Sequence, residues 1–325
     1  MKHIIRCYFA FLCLISFAQP SLAAPSAEVT KGLAWLQSQV QGDGSLSGEA
    51  ASVASSYQSR NETLHILKLL ATVPAPLFAA IAADTEDSTE YLSRRIVSTS
   101  LMGGSTSSLI AQLNALQNPD GGFGGGVDYT SHALDTAWAL TAYAKAGLSN
   151  SSAALNARNY LASIVQLDGG MTGSTDVERV VNSAMSASAL QMVPASTGSL
   201  TAINQLVAWL LQKQAVDGSW NQDVSLTALA LLAVNSIATD PTLHATVQNY
   251  LLGQQGSDGS WSADPYVTAV VLRALSAEPG SAPSLLGTVI GVILDQASGV
   301  PLQGATITLT GAGNGTAQSA QDGRF

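Results

Sequence analysis

The chain has 325 residues, of which 46% are hydrophobic and only 11% charged, and its formal net charge at pH 7 is −9. Such a composition can bury a large core, and no segment after the N-terminus reaches the ~18 consecutive apolar residues of a membrane span, which predicts a soluble globular protein. The acidic balance, with no basic stripe to offset it, argues against nucleic acid or an anionic membrane surface as a partner.

The first 23 residues have the layout of a secretory signal peptide. Lys2 and Arg6 form its positive region, residues 7–17 its apolar region, and residues 21–23 a small-x-small site that predicts cleavage after Ala23. Both cysteines lie inside this segment, so the predicted mature chain has no cysteine for disulfides, thiolate zinc sites or nucleophilic catalysis. We therefore expect an exported protein that is secreted or held at the cell surface.

A short phrase recurs five times along the chain: an Asp-Gly pair, then Gly or Ser, then an apolar residue. Its aspartates are Asp43, Asp120, Asp168, Asp217 and Asp258. In four copies an aromatic residue followed by leucine stands eight residues before the aspartate; these are Trp35, Tyr160, Trp209 and Tyr250. An offset that is kept this often marks a structural unit and predicts a repeat array.

Each unit predicts a pair of helices. The segment before the turn has helical spacing, the glycine supplies the positive φ that ends the helix, and the segment after it is apolar nearly all round, as in a buried helix. The predicted inner helices span residues 133–146, 180–192, 226–234 and 267–277. The turns at 43 and 120 are 77 residues apart, which leaves room for a degenerate pair between residues 74 and 101. Residues 24–280 should therefore hold five or six pairs.

The composition changes after residue 282. Residues 286–293 and 305–309 are rich in β-branched residues and are separated by the turn-forming segment 299–304. The segments Gly287-Thr288-Val289, Pro301-Leu302-Gln303-Gly304-Ala305 and Asp322-Gly323-Arg324-Phe325 resemble the carboxypeptidase regulatory-like domains of bacterial surface proteins. A β-sandwich usually needs about 100 residues, so we expect residues 285–325 to be the start of such a domain, with the chain stopping inside it.

The helical repeats also resemble a known family. Trp209-Leu210, Gln214, Gly218 and Trp220 have the spacing of the QW repeats of squalene and terpene cyclases, and residues 250–261 repeat it. The cyclase fold is similar to that of prenyltransferase β-subunits and of the thioester domains of macroglobulin and complement proteins. The resemblance implies an α/α toroid, in which inner helices surround a central cavity and outer helices wrap them. It does not fix an activity.

The chemistry of the family can be compared with this sequence position by position. Prenyltransferases hold zinc with Asp, Cys and His, and thioester domains need a reactive Cys, so the cysteine-free mature chain argues against both activities. Cyclases of the squalene-hopene kind protonate an alkene from the middle Asp of Asp-x-Asp-Asp-Thr-Ala. Asp135-Thr136-Ala137 matches the end of that motif, but Leu134 stands at the acid position. Residues 84–89 offer Glu86 there instead, although acidic runs usually cap a helix N-terminus.

The remaining candidates are modest. His132 and Asp135 share a helix face and could act as acid and base, but such residues at a helix start are more often a cap and a surface group. Candidates for ligand binding in an open cavity are Tyr129, Trp138, Asp264 and Tyr266. The repeated aspartates fit turn chemistry, and Phe123, Trp220 and Trp261 fit anchors between units. The histidines outside the signal peptide show no metal-ligand spacing, so neither a metal nor a cofactor is expected.

Two classes of function remain. We favour a non-catalytic binding or scaffold module at the cell surface, with an extracellular ligand or protein partner that the sequence does not name. The alternative is a terpene cyclase-like or polysaccharide-acting enzyme that uses a carboxylate in the central cavity. The lining of the cavity separates them, because clustered carboxylates with aromatic residues would favour catalysis and a filled lumen of Ala, Leu and Val would favour a scaffold.

Overall fold

A computed structural model describes residues 26–235, 237, 240–277, 303–309 and 315–321. The predicted signal peptide and the predicted strand at 286–293 lie outside these residues. Twelve α-helices occupy the described part of the chain before residue 278, and a 3-10 turn, Glu49–Ala51, precedes the second. They are α1 Ala27–Gln39, α2 Ser56–Leu70, α3 Ala75–Ala82, α4 Thr89–Leu101, α5 Ser107–Ala115, α6 Ala133–Lys145, α7 Ser152–Ser163, α8 Asp176–Leu190, α9 Thr197–Gln212, α10 Val224–Val234, α11 Pro241–Gly253 and α12 Pro265–Leu275. Within this part no helix is long and apolar enough to cross a membrane.

The even-numbered helices form a closed inner ring. Each packs against the next, and α12 packs against α2 to complete the circle. The odd-numbered helices lie outside, and α1 packs against α12, so the first and last helices of the domain meet. This is the predicted α/α arrangement, with each predicted inner helix present. The degenerate pair is α3 and α4, which brings the pairs to six.

Each Asp-Gly turn lies between the two helices of a pair and packs against the outer helix of the next pair. In all five, the aspartate carboxylate accepts a hydrogen bond from the backbone N–H two residues on, as Asp217 does from Ser219 at 3.0 Å. The turn glycines have φ between +87° and +96°. A Cβ on Gly44 would stand 2.2 Å from the carbonyl oxygen of Pro76, in the outer helix of the next pair. Only glycine satisfies both the backbone angle and this close approach.

The two tryptophans of the turns join neighbouring helices. Trp261 is fully buried, and its indole Nε1 donates to the carbonyl oxygen of Leu251 in α11 at 2.6 Å. Its backbone N–H donates to the hydroxyl of Thr268 in α12 at 3.0 Å. Its ring also lies against α1, where a Cβ on Gly32 would stand 2.7 Å from it. Trp220 makes the same two hydrogen bonds, to Leu210 of α9 and to Thr227 of α10.

The repeated spacing also places side chains at the contacts between neighbouring pairs. Trp209, one of the aromatic residues eight positions before a turn, lies on Gly170 of the preceding turn and donates from Nε1 to Asp168 at 3.3 Å. Gln255 Nε2 donates to the carbonyl oxygen of Gly259 in its own turn and to that of Glu28 in α1, both at 2.8 Å. The repeated residues therefore hold each pair to the next and close the ring.

The described residues near the C-terminus form a β-hairpin. Strands β1, Thr306–Leu309, and β2, Gly315–Gln318, pair antiparallel with Thr306 opposite Gln318. The predicted strand at 305–309 is thus confirmed. Two strands do not make a sandwich, so the predicted β-sandwich stays a prediction.

Candidate functional site

The inner ring encloses a cavity of about 620 Å³. Each inner helix contributes at least one side chain to its wall. On α2 these are Glu62, His65 and Leu69, whose spacing places them on one helix face. At a rise of about 1.5 Å per residue, this stripe runs about 10 Å along the ring axis. The lumen is therefore open, neither filled with small apolar residues nor lined by several carboxylates.

A buried ion cluster crosses the ring beside the cavity. Arg94 of α4 donates from Nη1 to Glu62 Oε1 at 2.9 Å, and Arg273 of α12 donates from Nη1 to Glu62 Oε2. Arg94 also donates from Nε to Glu90 Oε1 at 2.8 Å. Burial alone would raise the pKa of Glu62, but Arg273 and Arg94 outweigh it and hold that pKa at about 2. The carboxylate therefore stays ionised at neutral pH.

Two aromatic residues lie next to this cluster. The guanidinium of Arg94 stacks 3.8 Å above the ring of Trp138 on α6, a cation–π contact. Tyr266 of α12 lines the cavity as well, and burial raises the pKa of its phenol to about 12. Both aromatic residues were predicted as ligand-binding candidates, and the structure places both in the cavity wall.

The other ionisable groups described here are cationic or neutral. Burial lowers the pKa of His65 to about 3, and the charges of Arg273 and Lys145 act in the same direction, so the imidazole is neutral. Burial also lowers the pKa of Lys145, and Arg273 adds to this. Lys145 and Arg273 thus lie close enough to repel each other across the same space.

The other two ligand-binding candidates lie elsewhere. Asp264 caps α12 by accepting from the backbone N–H of Tyr266 at 2.8 Å, and it also accepts from Ser52 and Val53 ahead of α2, both at 2.8 Å. It therefore joins the two ends of the ring. Tyr129 is 67% exposed in the segment before α6 and does not line the cavity.

The acid–base candidates lie at the start of α6. His132 is the N-cap residue, and its Nδ1 accepts from the N–H of Leu134 at 3.3 Å. The same Nδ1 lies 4.0 Å from Asp135 Oδ2, and His132 Nε2 lies 3.9 Å from Glu178 Oε1. Burial raises the pKa of Asp135, the direction a general acid needs, although His132 opposes the rise. Neither residue belongs to the cavity lining.

The partial match to the cyclase motif contains a threonine that makes a structural hydrogen bond. The hydroxyl of Thr136 accepts from the backbone N–H of Phe123 at 2.9 Å, as Thr227 and Thr268 do for their turn tryptophans. Thr136 of Asp135-Thr136-Ala137 therefore makes a hydrogen bond that recurs in other repeats. Glu86 is exposed in the segment between α3 and α4, outside the cavity lining.

The sequence analysis missed the ionisable residues in and beside the cavity. These are Glu62, His65, Arg94, Lys145 and Arg273. One signal was available, because Arg273 is the only charged residue in the otherwise apolar helix α12. Glu62, His65 and Arg94 stand among other polar residues, and Lys145 lies in the last turn of α6, where a cation is ordinary. Across the described ranges, no three His, Cys, Asp or Glu side chains are grouped so that they could hold a metal ion.

Comparison with known proteins supports the fold. Residues 87–230 match the model of the prenyltransferase alpha-alpha toroid domain. No curated protein sequence matches the chain.

Several solved structures are similar. The type II terpene cyclase MstE from Scytonema, in complex with its substrate geranylgeranyl dihydroxybenzoate, aligns with a TM-score of 0.59 at 14% identity, covering 77% of this chain and 95% of that one. ent-Copalyl diphosphate synthase from Streptomyces platensis aligns at 0.55 and 17% identity, over 70% of this chain and 51% of that one. Haptocorrin in complex with Cbi aligns at 0.52 and 15% identity, over 90% of this chain and 76% of that one. At these identities the similarity shows the α/α toroid fold alone.

Proposed function

We propose that the toroid is a non-catalytic binding module whose central cavity receives a small, partly apolar ligand. The observation that carries this proposal is the state of Glu62, the one carboxylate among the described residues that line the cavity. Two arginines share it and its pKa is about 2, so it holds no proton to deliver to an alkene at neutral pH. A binding cavity needs no such proton.

The similar structures are compatible with this proposal without deciding it. They include a terpene cyclase with its substrate and haptocorrin with Cbi. Because one fold hosts many functions, the argument rests on the cavity of this chain. Its walls combine apolar side chains with a few polar groups, which is typical of small-molecule sites.

Filling the cavity tests the proposal. The full chain should bind a neutral fluorescent probe such as N-phenylnaphthylamine, and Leu229→Trp, in the cavity wall, should weaken that binding at least about tenfold, a loss of about 1.4 kcal/mol. Leu167→Trp is the matched control, since Leu167 is fully exposed in a turn and should leave probe binding unchanged. Equal binding by both variants would place the probe outside the cavity and contradict the proposal.

The catalytic alternative is tested with the same protein. Incubation with squalene, isoprenoid diphosphates or acidic polysaccharides should give no product. Turnover that Asp135→Ala abolishes would overturn the non-catalytic reading and assign the acid to the start of α6.

We also propose that the protein is exported and acts outside the cell or at its surface. The arrangement of Lys2, Arg6 and the apolar segment 7–17 supports this. Mass spectrometry of the protein expressed in a bacterial host should find a new N-terminus after Ala23. An intact leader on cytoplasmic protein would contradict the export proposal and leave the binding proposal untouched.

A further inference from the structure

The cavity carries an excess of positive charge in a strongly acidic chain. Among its lining residues Lys145 and Arg273 are cations and Glu62 is the anion, and Glu62 is already shared with Arg94. The formal charge of the whole chain is −9. We propose, resting on the binding function above, that the ligand is an amphipathic organic anion whose carboxylate or phosphate head lies between Arg273 and Lys145.

The two cations have hydrogen-bond donors to spare. Arg273 uses Nη1 on Glu62, and no other hydrogen bond of this guanidinium is found among the described residues. Its side chain keeps 23% of its surface accessible, and a guanidinium offers five N–H donors. The ammonium of Lys145 has neither a hydrogen bond nor an ion pair to any described residue. Two like charges facing one confined space are unfavourable unless a counter-charge joins them.

The part of the cavity wall between α6 and α12 suits the apolar part of such a ligand. Helices α8 and α10 and the turn after α8 contribute Met185, Met192, Leu229 and Leu232 to the cavity. Methionine is flexible and polarisable, so this wall can adapt to an alkyl or isoprenoid chain.

The amides on that side are already engaged. Gln191 Nε2 donates to the carbonyl oxygens of Ala187 and Ala233, at 2.9 and 3.0 Å, and Asn235 Nδ2 donates to that of Ala277 at 2.9 Å. These donors tie neighbouring inner helices together and are not left for a ligand. The polar recognition is therefore concentrated at Arg273 and Lys145.

Matched ligands test the charge preference. Displacement of N-phenylnaphthylamine from the full chain would be measured with dodecanoate, dodecyl phosphate, dodecanol and dodecyltrimethylammonium, each below its micelle concentration. We expect at least one anion to bind about tenfold or more tightly than dodecanol, equivalent to about 1.4 kcal/mol or more. The quaternary ammonium should bind more weakly than dodecanol. The order of the two anions assigns the head group to the carboxylate or the phosphate class.

Matched variants locate the head group. Lys145→Met should remove most of the preference for the anion over dodecanol while leaving dodecanol binding unchanged, because it deletes the charge and keeps an apolar stem. Lys31→Met, on the exposed face of outer helix α1, removes the same charge outside the cavity and should keep the preference.

The outcomes separate the two proposals. If dodecanoate, dodecyl phosphate and dodecanol bind equally, or if the preference survives in Lys145→Met, the anion site is wrong and the binding cavity stands. If the probe binds and none of these ligands displaces it, the anion site is wrong, and the binding cavity is judged by the Leu229→Trp test. If the probe itself does not bind, both proposals fall.

Discussion

The outer belt and the lumen of this toroid are built on different rules. The outer belt, meaning the odd-numbered helices and the five Asp-Gly turns, repeats the same hydrogen bonds around the ring. In and beside the lumen, meaning the cavity-facing side of the even-numbered helices, Glu62, Arg94 and Arg273 each occur once, and both arginines bond to Glu62. Repetition serves the packing of neighbouring units, whereas the unrepeated residues lie at the candidate site.

The largest effect should come from removing an anchor of the outer belt. Trp261→Ala deletes a fully buried indole that touches α11, α12 and α1, and should lower the free energy of unfolding by about 3 to 5 kcal/mol. Urea denaturation would measure it. The control Val216→Ala, at a fully exposed position, should stay within about 0.5 kcal/mol of the parent. An unchanged midpoint in Trp261→Ala with lost ligand binding would move this tryptophan from the belt to the site.

A pair of glycine variants separates backbone strain from packing at the seams. Gly44 and Gly103 both have positive φ, +87° and +76°. A Cβ would meet the Pro76 carbonyl oxygen at 2.2 Å in the first case and nothing within 4 Å in the second. We expect Gly103→Ala to cost about 1 kcal/mol from strain and Gly44→Ala about 1 to 3 kcal/mol more from overlap with α3. Equal losses of unfolding free energy would show that the turn does not need the close approach.

The same contrast explains what the sequence could predict. The outer belt could be predicted because its pattern recurs. Each copy has the Asp-Gly pair and an apolar segment after it, and four copies have an aromatic residue eight positions before the aspartate, as Trp209 is. The ion cluster could not be predicted in this way, because Glu62 lies 32 residues from Arg94 and 211 from Arg273. These partners meet only when α2 packs against α4 and α12 closes the ring on α2. Trp138 and Tyr266 were reached through the resemblance, which places inner-helix residues around a cavity.

As the pH is lowered, groups of the lumen should lose their contribution to stability before those of the outer belt. The pKa of His65 is about 3 in the folded chain against an ordinary 6.5, so between these values the unfolded chain binds a proton that the folded chain does not. Stability should therefore fall as pH drops below 6.5, by up to about 1.4 kcal/mol per pH unit. Glu62, with a lowered pKa, loses its contribution only below its ordinary 4.5. The turn aspartates, such as Asp217 with its pKa lowered by Ser219, follow below 3.8.

Denaturation at pH 6.5, 5.5 and 4.5 isolates the histidine, since these values span its ordinary pKa and end at that of Glu62. His65→Asn should flatten the dependence, because it keeps a polar group of similar size that does not titrate. A slope that is the same in parent and variant would assign the acid sensitivity to other groups.

The smallest effect should come from the start of α6, where belt and lumen meet. Replacing His132 and Asp135 together by alanine removes an N-cap whose hydrogen bond is 3.3 Å long, and should cost about 1 kcal/mol of stability. Because neither residue lines the cavity, N-phenylnaphthylamine binding and the preference for dodecanoate or dodecyl phosphate should match the parent. Asp135→Asn alone keeps the side-chain shape and should have a smaller effect on the unfolding midpoint. Loss of ligand binding in Asp135→Asn, with the midpoint unchanged, would extend the site from the cavity to the N-terminal rim of the ring.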